Sequence, residues 1–233
     1  MDSPRTSAAY IDSAASLPDI RQWWTPFKAT VSTIPALSPT ERRELARAML
    51  EDVLDAAVAA LPGAVLVVTT DPEVQAVARA AGARCLTESA NRGHTAAVAF
   101  AQREAMTRGA ARFLTLPGDV PCVTAQEIAS LCDALPEAPG VVFVPSRSGQ
   151  GTNAALLAPP DAIPLTFGEP SFENHLKTAR AAGLAPRVLE LPGIGLDVDA
   201  PDDLPVLLER GPATRSARLL RGFPTGARPA GAR

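Results

Sequence analysis

Apolar and polar positions alternate between helical and extended patterns along the middle of the chain. The segment Ser38-Pro39-Thr40-Glu41 combines an N-cap serine, a proline at the first helical position and a capping-box glutamate, and apolar residues follow it at helical spacing. This pattern predicts a helix over about 39–60. The apolar run Ala64–Thr69 then predicts a buried strand, and Asp71-Pro72 predicts the cap and first turn of a helix that ends near Gly82.

The same alternation continues to about residue 209. Apolar strands that are separated by helices are typical of a mostly parallel sheet with helices on both faces. The chain is therefore predicted to hold a single Rossmann-like α/β domain over 25–210. Its further helices are expected near 94–108, from Thr124, at 170–182 and at 201–209, and its further strands near 112–116, 141–145, 153–157 and 187–191.

The two ends of the chain differ from this domain. Residues 1–22 show neither helical nor strand periodicity, and the segment from Gly211 is rich in proline, glycine and arginine. We therefore expect a flexible N-terminal extension over 1–24 and a flexible tail over 211–233.

Composition excludes several functional classes. Lys and Arg number 22 against 25 Asp and Glu, and only 4% of the residues are aromatic, which disfavours nucleic-acid binding through a basic footprint or stacking platforms. The longest near-apolar run, Ala56–Val68, is too short to cross a bilayer and is broken by Pro62 and Gly63, so no membrane span is expected. Three cysteines that match no zinc or redox spacing, together with the lack of a signal-peptide pattern, favour a reduced, cytoplasmic protein.

Carboxylates follow two of the predicted strands, and ligands bind beyond the carboxyl ends of strands in open parallel sheets. Asp119 follows one strand in L-P-G-D-V-P, although an aspartate before a helix is more often a cap or turn former. In G-L-D-V-D-A-P, Asp197 and Asp199 point the same way if the segment is extended, which offers two hard oxygen ligands of the kind that Mg²⁺ prefers. The alternative is that Asp199 caps the helix near Pro201, which leaves Asp197 unexplained.

Two further segments offer neutral polar groups. Gly149–Ala154 carries two glycines ahead of a hydroxyl and an amide, which suits either a close backbone approach to a ligand or a hairpin turn. Leu165–Phe172 opens a helix whose N–H groups favour an anion, and an ordinary capped helix start is the alternative. Neither segment decides the function by itself.

Four motifs carry more information in succession than separately. In chain order they are P-G-D-V-P, G-T-N-A, F-G-x-x-S-F-x-x-H with His175, and L-P-G-x-x-L-D-V-D-x-P-x-D-L. The succession resembles the 2-phospho-L-lactate guanylyltransferase family, which makes a precursor of the deazaflavin coenzyme F-420, and the resemblance spans about 38–208. It implies a nucleotidyltransferase-like α/β domain that joins GTP to a phosphorylated three-carbon acid and releases pyrophosphate.

The resemblance assigns the carboxylates to catalysis. Asp119, Asp197 and Asp199 match the catalytic positions, where they would hold Mg²⁺ between the substrate phosphate and the α-phosphate of the nucleotide. Phosphoryl-type transfer depends mainly on placement and on charge neutralisation, which such ligands supply.

The resemblance also assigns the acid-binding residues. Thr152, Gly168 and Ser171 match the positions that bind the carboxylate of the acid. His175 lies one helical turn beyond Ser171, where it either orients that serine or only packs. The acids 2-phospho-L-lactate, phosphoenolpyruvate and 3-phosphoglycerate each carry one carboxylate and one phosphate, so these residues do not choose among them.

The nucleotide-binding segments depart from the family pattern. Family members begin with V-P-x-K followed by K-x-R-L, whereas this chain offers Lys28 for the first lysine and lacks the second lysine and the arginine. The usual G-L-N-A-A appears as G-H-T-A-A, beginning at Gly93. We expect Lys28 and Gly93 to contact the nucleotide, and the lost positive charge to weaken GTP binding.

Two alternatives to this guanylyltransferase remain open: a non-catalytic homologue that binds the phospho-acid, and another nucleotidyltransferase of the molybdopterin guanylyltransferase type. The expected partners are GTP and a small phosphorylated carboxylic acid, with neither nucleic acid nor membrane. The oligomeric state is not determined by the sequence, and a homodimer is one option.

Overall fold

The computed structural model describes residues 7–11, 23–27, 34–35, 37–88, 92–135 and 137–223. Within these ranges the strands are β1 (Ser7–Ile11), β2 (Trp23–Phe27), β3 (Val65–Thr69), β4 (Arg84–Leu86), β5 (Phe113–Thr115), β6 (Gly140–Pro145), β7 (Thr152–Ala158) and β8 (Arg187–Val188). The helices are α1 (Pro39–Ala60), α2 (Pro72–Ala80), α3 (His94–Thr107), α4 (Ala125–Asp133), α5 (Ser171–Ala181), α6 (Asp203–Arg210) and α7 (Arg215–Gly222). None of the helices in these ranges is long and apolar enough to span a bilayer.

Side-chain caps fix three helix starts where the sequence predicts them. The Glu41 carboxylate accepts from the Ser38 N–H at 2.7 Å while the Ser38 hydroxyl accepts from the Glu41 N–H at 3.3 Å, which closes a capping box on α1. Thr124 and Glu127 form the same reciprocal pair on α4. Asp71 accepts from N–H groups in the first turn of α2. Local sequence therefore determines where these helices begin, because the caps satisfy N–H groups that lack a helical partner.

The strands form one mixed sheet in the order β4-β3-β1-β2-β5-β7-β6-β8. The β3–β4, β2–β3, β2–β5 and β6–β8 pairs are parallel, whereas β1 and β7 run antiparallel to both of their neighbours. The α/β class is confirmed, and the expectation of a mostly parallel sheet is corrected at these two strands. β7 follows β6 through a short turn, and such a turn joins antiparallel strands only.

Two elements lie inside segments that the sequence predicts to be flexible. β1 falls within 1–24 and pairs with β2 and β3, and α7 falls within 211–233 and packs against α1. The Asp52 carboxylate of α1 accepts hydrogen bonds from the N–H groups of Arg215 at 2.8 Å and Ser216 at 2.9 Å. These long-range contacts leave no local pattern in the sequence, so a strand and a helix also occur outside the predicted domain of 25–210.

Helices cover both faces of the sheet, as predicted. Val65 and Val67 of β3 belong to the apolar cluster under α1, α2 and α4, whereas Leu66 and Val68 belong to the cluster with α3 and α5. Successive side chains of a strand point to opposite faces, so β3 is buried on both sides and forms a continuous apolar run. The strand ends remain as the place where polar groups can meet a ligand.

Candidate active site

Seven of the eight site residues that the sequence predicts line one cavity of about 350 Å³, which is within the usual size of a small-ligand site. The cavity lies beyond the end of β5 and at the start of β7, beside the first turns of α3 and α5. The eighth residue, Lys28, lies outside the described residues. The seven are Gly93, Asp119, Thr152, Gly168, Ser171, Asp197 and Asp199.

A backbone hydrogen bond joins the two chain segments that carry the cavity carboxylates. The N–H of Val198 donates to the carbonyl oxygen of Asp119 at 2.9 Å, which joins the turn after β5 to a segment far along the chain. Val198 is fully buried, whereas its neighbours Asp197 and Asp199 both line the cavity. The two carboxylates therefore share one face, as the alternation of side chains in an extended segment predicts.

Asp197 is partly buried next to another carboxylate. Burial raises the pKa of Asp197, the hydrogen bond from Asn153 opposes that rise, and the nearby charge of Asp199 adds to it. The Asn153 side-chain amide donates to Asp197 Oδ1 at 3.2 Å and to the carbonyl oxygen of Ile194 at 2.9 Å, so the amide also fixes the loop that carries the carboxylate. The raised pKa indicates that a cation bound here would relieve an unfavourable electrostatic arrangement.

Asp199 does not occupy the N-cap position of α6. Asp202 occupies that position, and its side chain makes no capping hydrogen bond. The Asp203 carboxylate instead accepts from the N–H groups of Asp199 at 3.0 Å and Ala200 at 2.8 Å, and it pairs with Arg147. Asp203 therefore orders the backbone that carries Asp199.

The cavity also presents hydroxyl groups. The N–H of Thr152, at the start of β7, donates to Ser171 Oγ at 3.0 Å, and Ser171 is the first residue of α5. His175 does not hydrogen-bond to Ser171. Its Nδ1 lies 2.9 Å from Thr152 Oγ1, and its Nε2 accepts from the Thr166 N–H at 3.0 Å.

Gly168 and Thr95 determine the conformation of the loop that precedes α5. Gly168 has a φ of 117°, a conformation that L side chains rarely adopt, and an added Cβ would meet no atom within 4 Å. The need for glycine is therefore conformational rather than steric. The preceding residue, Phe167, donates its N–H to Thr95 Oγ1 at 2.9 Å, so the start of α3 holds this loop in place.

The glycines of Gly149–Ala154 lie in a hairpin turn. Gly149 has a φ of 72°, and the Ser146 N–H donates to the Gly151 carbonyl oxygen at 2.9 Å, which closes the hairpin between β6 and β7. Gly151 also lines the cavity. The hairpin therefore brings the start of β7 to the cavity.

The sequence matches the profile of a family described as "Guanylyl transferase CofC like" over residues 23–230. The chain belongs to this family. It is accordingly a nucleotidyltransferase.

Curated relatives agree on guanylyl transfer and differ in the acid that they are named for. A phosphoenolpyruvate guanylyltransferase from Sphaerobacter thermophilus is 41% identical over 182 residues, which are 78% of this chain and 87% of the relative. A 3-phospho-D-glycerate guanylyltransferase from Phenylobacterium zucineum is 38% identical over 187 residues, which are 76% of this chain and 83% of the relative. These names favour the phospho-acid enzymes over the molybdopterin alternative.

The fold also occurs in solved structures of more distant proteins. A nucleotidyl transferase from Methanothermobacter thermautotrophicus superposes with a TM-score of 0.54 at 16% identity, covering 85% of this chain and 88% of that one. This likeness confirms the nucleotidyltransferase-like fold of the family member described here.

Arg92 is a cavity residue that sequence reasoning missed. It lies directly before Gly93 and is exposed, and among the described residues that line the cavity it is the only lysine or arginine. The sequence holds a signal for it, because Arg92 directly precedes Gly93, which is expected to contact the nucleotide. It did not stand out because the family pattern puts its basic residues near the N-terminus.

Proposed function

We propose that this chain is a cytoplasmic, Mg²⁺-dependent guanylyltransferase that joins GTP to a phosphorylated three-carbon acid in the biosynthesis of coenzyme F-420. The observation that supports the proposal is a single cavity lined by three carboxylate residues and two hydroxyl-bearing residues. Such a cavity offers carboxylates for a metal-bound phosphate and hydroxyl donors for a free carboxylate.

The two hydroxyl groups of the cavity suit the carboxylate of the acid. Thr152 and Ser171 are nearly fully buried, yet both line the cavity beside the backbone of Gly168. Hydroxyl and backbone N–H donors bind a carboxylate without adding a counter-charge, which matches a site that must leave the phosphate reactive. The candidates 2-phospho-L-lactate, phosphoenolpyruvate and 3-phosphoglycerate all carry this carboxylate.

The three carboxylates of the cavity suit a magnesium ion. Asp119, Asp197 and Asp199 supply hard oxygen donors, and the raised pKa of Asp197 favours a bound cation. Among the residues that the structure describes, no group of three or more His, Cys, Asp or Glu side chains is arranged to hold a metal alone. Mg²⁺ commonly binds through one or two carboxylates, water and substrate phosphates, so the donor set fits an ion that arrives with the nucleotide. When bound, it would reduce the repulsion between the reacting phosphates.

The reaction balances without a covalent enzyme intermediate. A phosphate oxygen of the acid forms a bond to the α-phosphorus of GTP, and the bond from that phosphorus to the α,β-bridging oxygen breaks. Pyrophosphate leaves with the bridging oxygen and its electron pair. The residues of this chain supply placement and charge, which are the main requirements of phosphoryl-type transfer.

Arg92 and Lys28 are the positive charges that we assign to the triphosphate. Arg92 lies beside Gly93 at the start of α3, on the rim of the same cavity. A guanidinium in this position would replace part of the positive charge that the altered N-terminal segment lacks. Among the cavity residues that the structure describes, Arg92 is the only such group, and this favours the second candidate, a homologue that binds the phospho-acid without catalysis.

Pyrophosphate release distinguishes the two candidates. Purified protein is incubated with GTP, MgCl₂ and each of the three acids, and pyrophosphate is measured with and without EDTA. We expect release with at least one acid, suppression by EDTA, and loss of activity in Asp197→Asn but not in Asp202→Asn. Asp202 is a matched control because it is exposed and does not line the cavity. Acid binding without release from any acid, at protein concentrations near that of the substrate, would support the non-catalytic candidate instead.

A further inference from the structure

His175 lies behind the acid-binding hydroxyls, where the proposed reaction assigns it no role. The side chain is 1% exposed and does not line the cavity, but its Nδ1 lies 2.9 Å from Thr152 Oγ1. We propose that His175 is a positioning residue that holds the Thr152 hydroxyl with its proton directed at the carboxylate of the acid. This inference rests on the proposed function, because the carboxylate belongs to the proposed substrate.

The backbone determines which ring nitrogen carries the proton. The Thr166 N–H can only donate, so Nε2 of His175 must accept with its lone pair. A neutral imidazole has one N–H, which is then on Nδ1 and is directed at Thr152 Oγ1. Burial lowers the pKa of His175 to about 4, so the ring is neutral near pH 7.

The direction of this hydrogen bond determines the role of the Thr152 hydroxyl, and the Ser171 hydroxyl has the same role. Thr152 Oγ1 accepts from His175, and Ser171 Oγ accepts from the Thr152 N–H, so each oxygen keeps its own proton to donate. Among the described residues, none accepts a hydrogen bond from either hydroxyl, and both residues line the cavity. The two protons are therefore available to an anion bound in the cavity.

Packing alone does not explain an imidazole at this position. The ring stacks on Phe143 with centroids 5.6 Å apart and meets Phe167 edge-on at 5.2 Å. A phenylalanine would fill a similar space without the cost of burying two ring nitrogens. The imidazole is explained by its two hydrogen bonds, and only the one to Thr152 leads to the cavity.

Variants at position 175 separate the two hydrogen bonds. His175→Asn places an amide near the Nδ1 position and retains a donor to Thr152, whereas His175→Gln reaches the Nε2 position and retains only the partner of Thr166. We expect His175→Gln to raise the KM for the acid about 10- to 100-fold, the effect of losing an ordered donor to a charged group, with the KM for GTP unchanged within twofold. His175→Asn should recover most of that loss. Equal KM values for the acid in the two variants, or equal increases for acid and GTP, would overturn the proposal.

A double-mutant cycle tests whether His175 acts through Thr152. Thr152→Val removes the hydroxyl and keeps the shape of the side chain. If the histidine only orients that hydroxyl, His175→Gln should have no further effect on the acid KM in the Thr152→Val background. Additive losses would indicate an independent structural role and would also contradict the proposal.

A spectroscopic measurement does not depend on turnover. In the wild-type protein, ¹⁵N chemical shifts should show His175 protonated at Nδ1 and not at Nε2 from pH 8 to pH 5.5, and the opposite tautomer would refute the assignment. If the acid binds in calorimetry with Mg²⁺ and GTP but no pyrophosphate forms, the proposed function fails and the variants are compared by Kd for the acid. If the wild-type protein does not bind the acid, both proposals fail.

Discussion

The backbone N–H of Val198 donates a 2.9 Å hydrogen bond to the carbonyl oxygen of Asp119, across 79 positions of sequence. Neither side chain takes part in this bond. Because it joins the two backbones, the carboxylates of Asp119, Asp197 and Asp199 line one cavity although they come from separate segments. The bond also holds like charges close together, so the arrangement costs stability that a bound cation would return.

Asp197→Asn should lower the catalytic activity without lowering the stability of the fold. The folded state raises the pKa of Asp197, mainly through burial, so its ionised form is less favourable when folded than when unfolded. An amide removes that cost and still accepts from Asn153. We expect kcat to fall about 100-fold or more and the Tm to stay level or rise, measured by pyrophosphate release and thermal unfolding. A large fall in Tm would indicate that the carboxylate stabilises the fold instead.

Arg92→Gln should weaken GTP binding specifically. A charge-assisted contact to a phosphate is worth about 1.5–3 kcal/mol, so the KM for GTP should rise roughly 10-fold or more while that for the acid changes little. Arg103→Gln is the control, because Arg103 is exposed on α3, the helix that Arg92 precedes, and does not line the cavity. Equal effects of the two variants would show that only the general charge of α3 matters.

Thr95→Val should weaken binding of the acid, because Thr95 of α3 holds the loop before α5. The substitution keeps the shape of the side chain but removes the acceptor of the Phe167 N–H, which leaves that amide without its 2.9 Å partner. A several-fold rise in the KM for the acid is expected, together with a loss of about 1–3 kcal/mol in the free energy of unfolding. Thr107→Val, on the exposed end of the same helix, should change neither quantity.

Gly168→Ala should show the cost of a positive φ. The position has a φ of 117° and open space for a Cβ, so the expected loss of about 1–3 kcal/mol is conformational. We expect a Tm lower by several degrees and a higher KM for the acid, because the loop beside Ser171 must shift. Gly222→Ala also has open space, but its φ is not positive, so the Tm of that variant should not fall.

Acid should destabilise the protein through His175. Burial lowers the pKa of this histidine to about 4 in the folded protein, against 6.5 for an ordinary histidine, so the unfolded chain binds the proton more tightly. Stability is then complete above about pH 6.5 and declines as the pH falls towards 4, by about 3 kcal/mol in total. Urea unfolding at pH 7 and pH 4.5 measures the decline. His175→Gln should show a smaller decline, and an identical pH dependence would exclude the histidine as a source.

Local sequence was sufficient for the elements that carry their own signals. The capping pairs Ser38 with Glu41 and Thr124 with Glu127 fixed two helix starts, because both partners lie within one turn. The succession of motifs was sufficient for the family. What the sequence missed were β1 and α7, whose order depends on partners elsewhere, such as Asp52 for Arg215 and Ser216.

By itself the sequence determined the alternation of helices and strands, the α/β class and which residue types stand after the strands, because periodicity and caps act over a few residues. Only the tertiary structure decided that the sheet is mixed, that Arg92 joins the cavity, and that His175 contacts Thr152 rather than Ser171. The physical reason is that strand order, and the meeting of groups such as Asp119 and Val198, depend on long-range hydrogen bonds that leave no periodic trace in the chain.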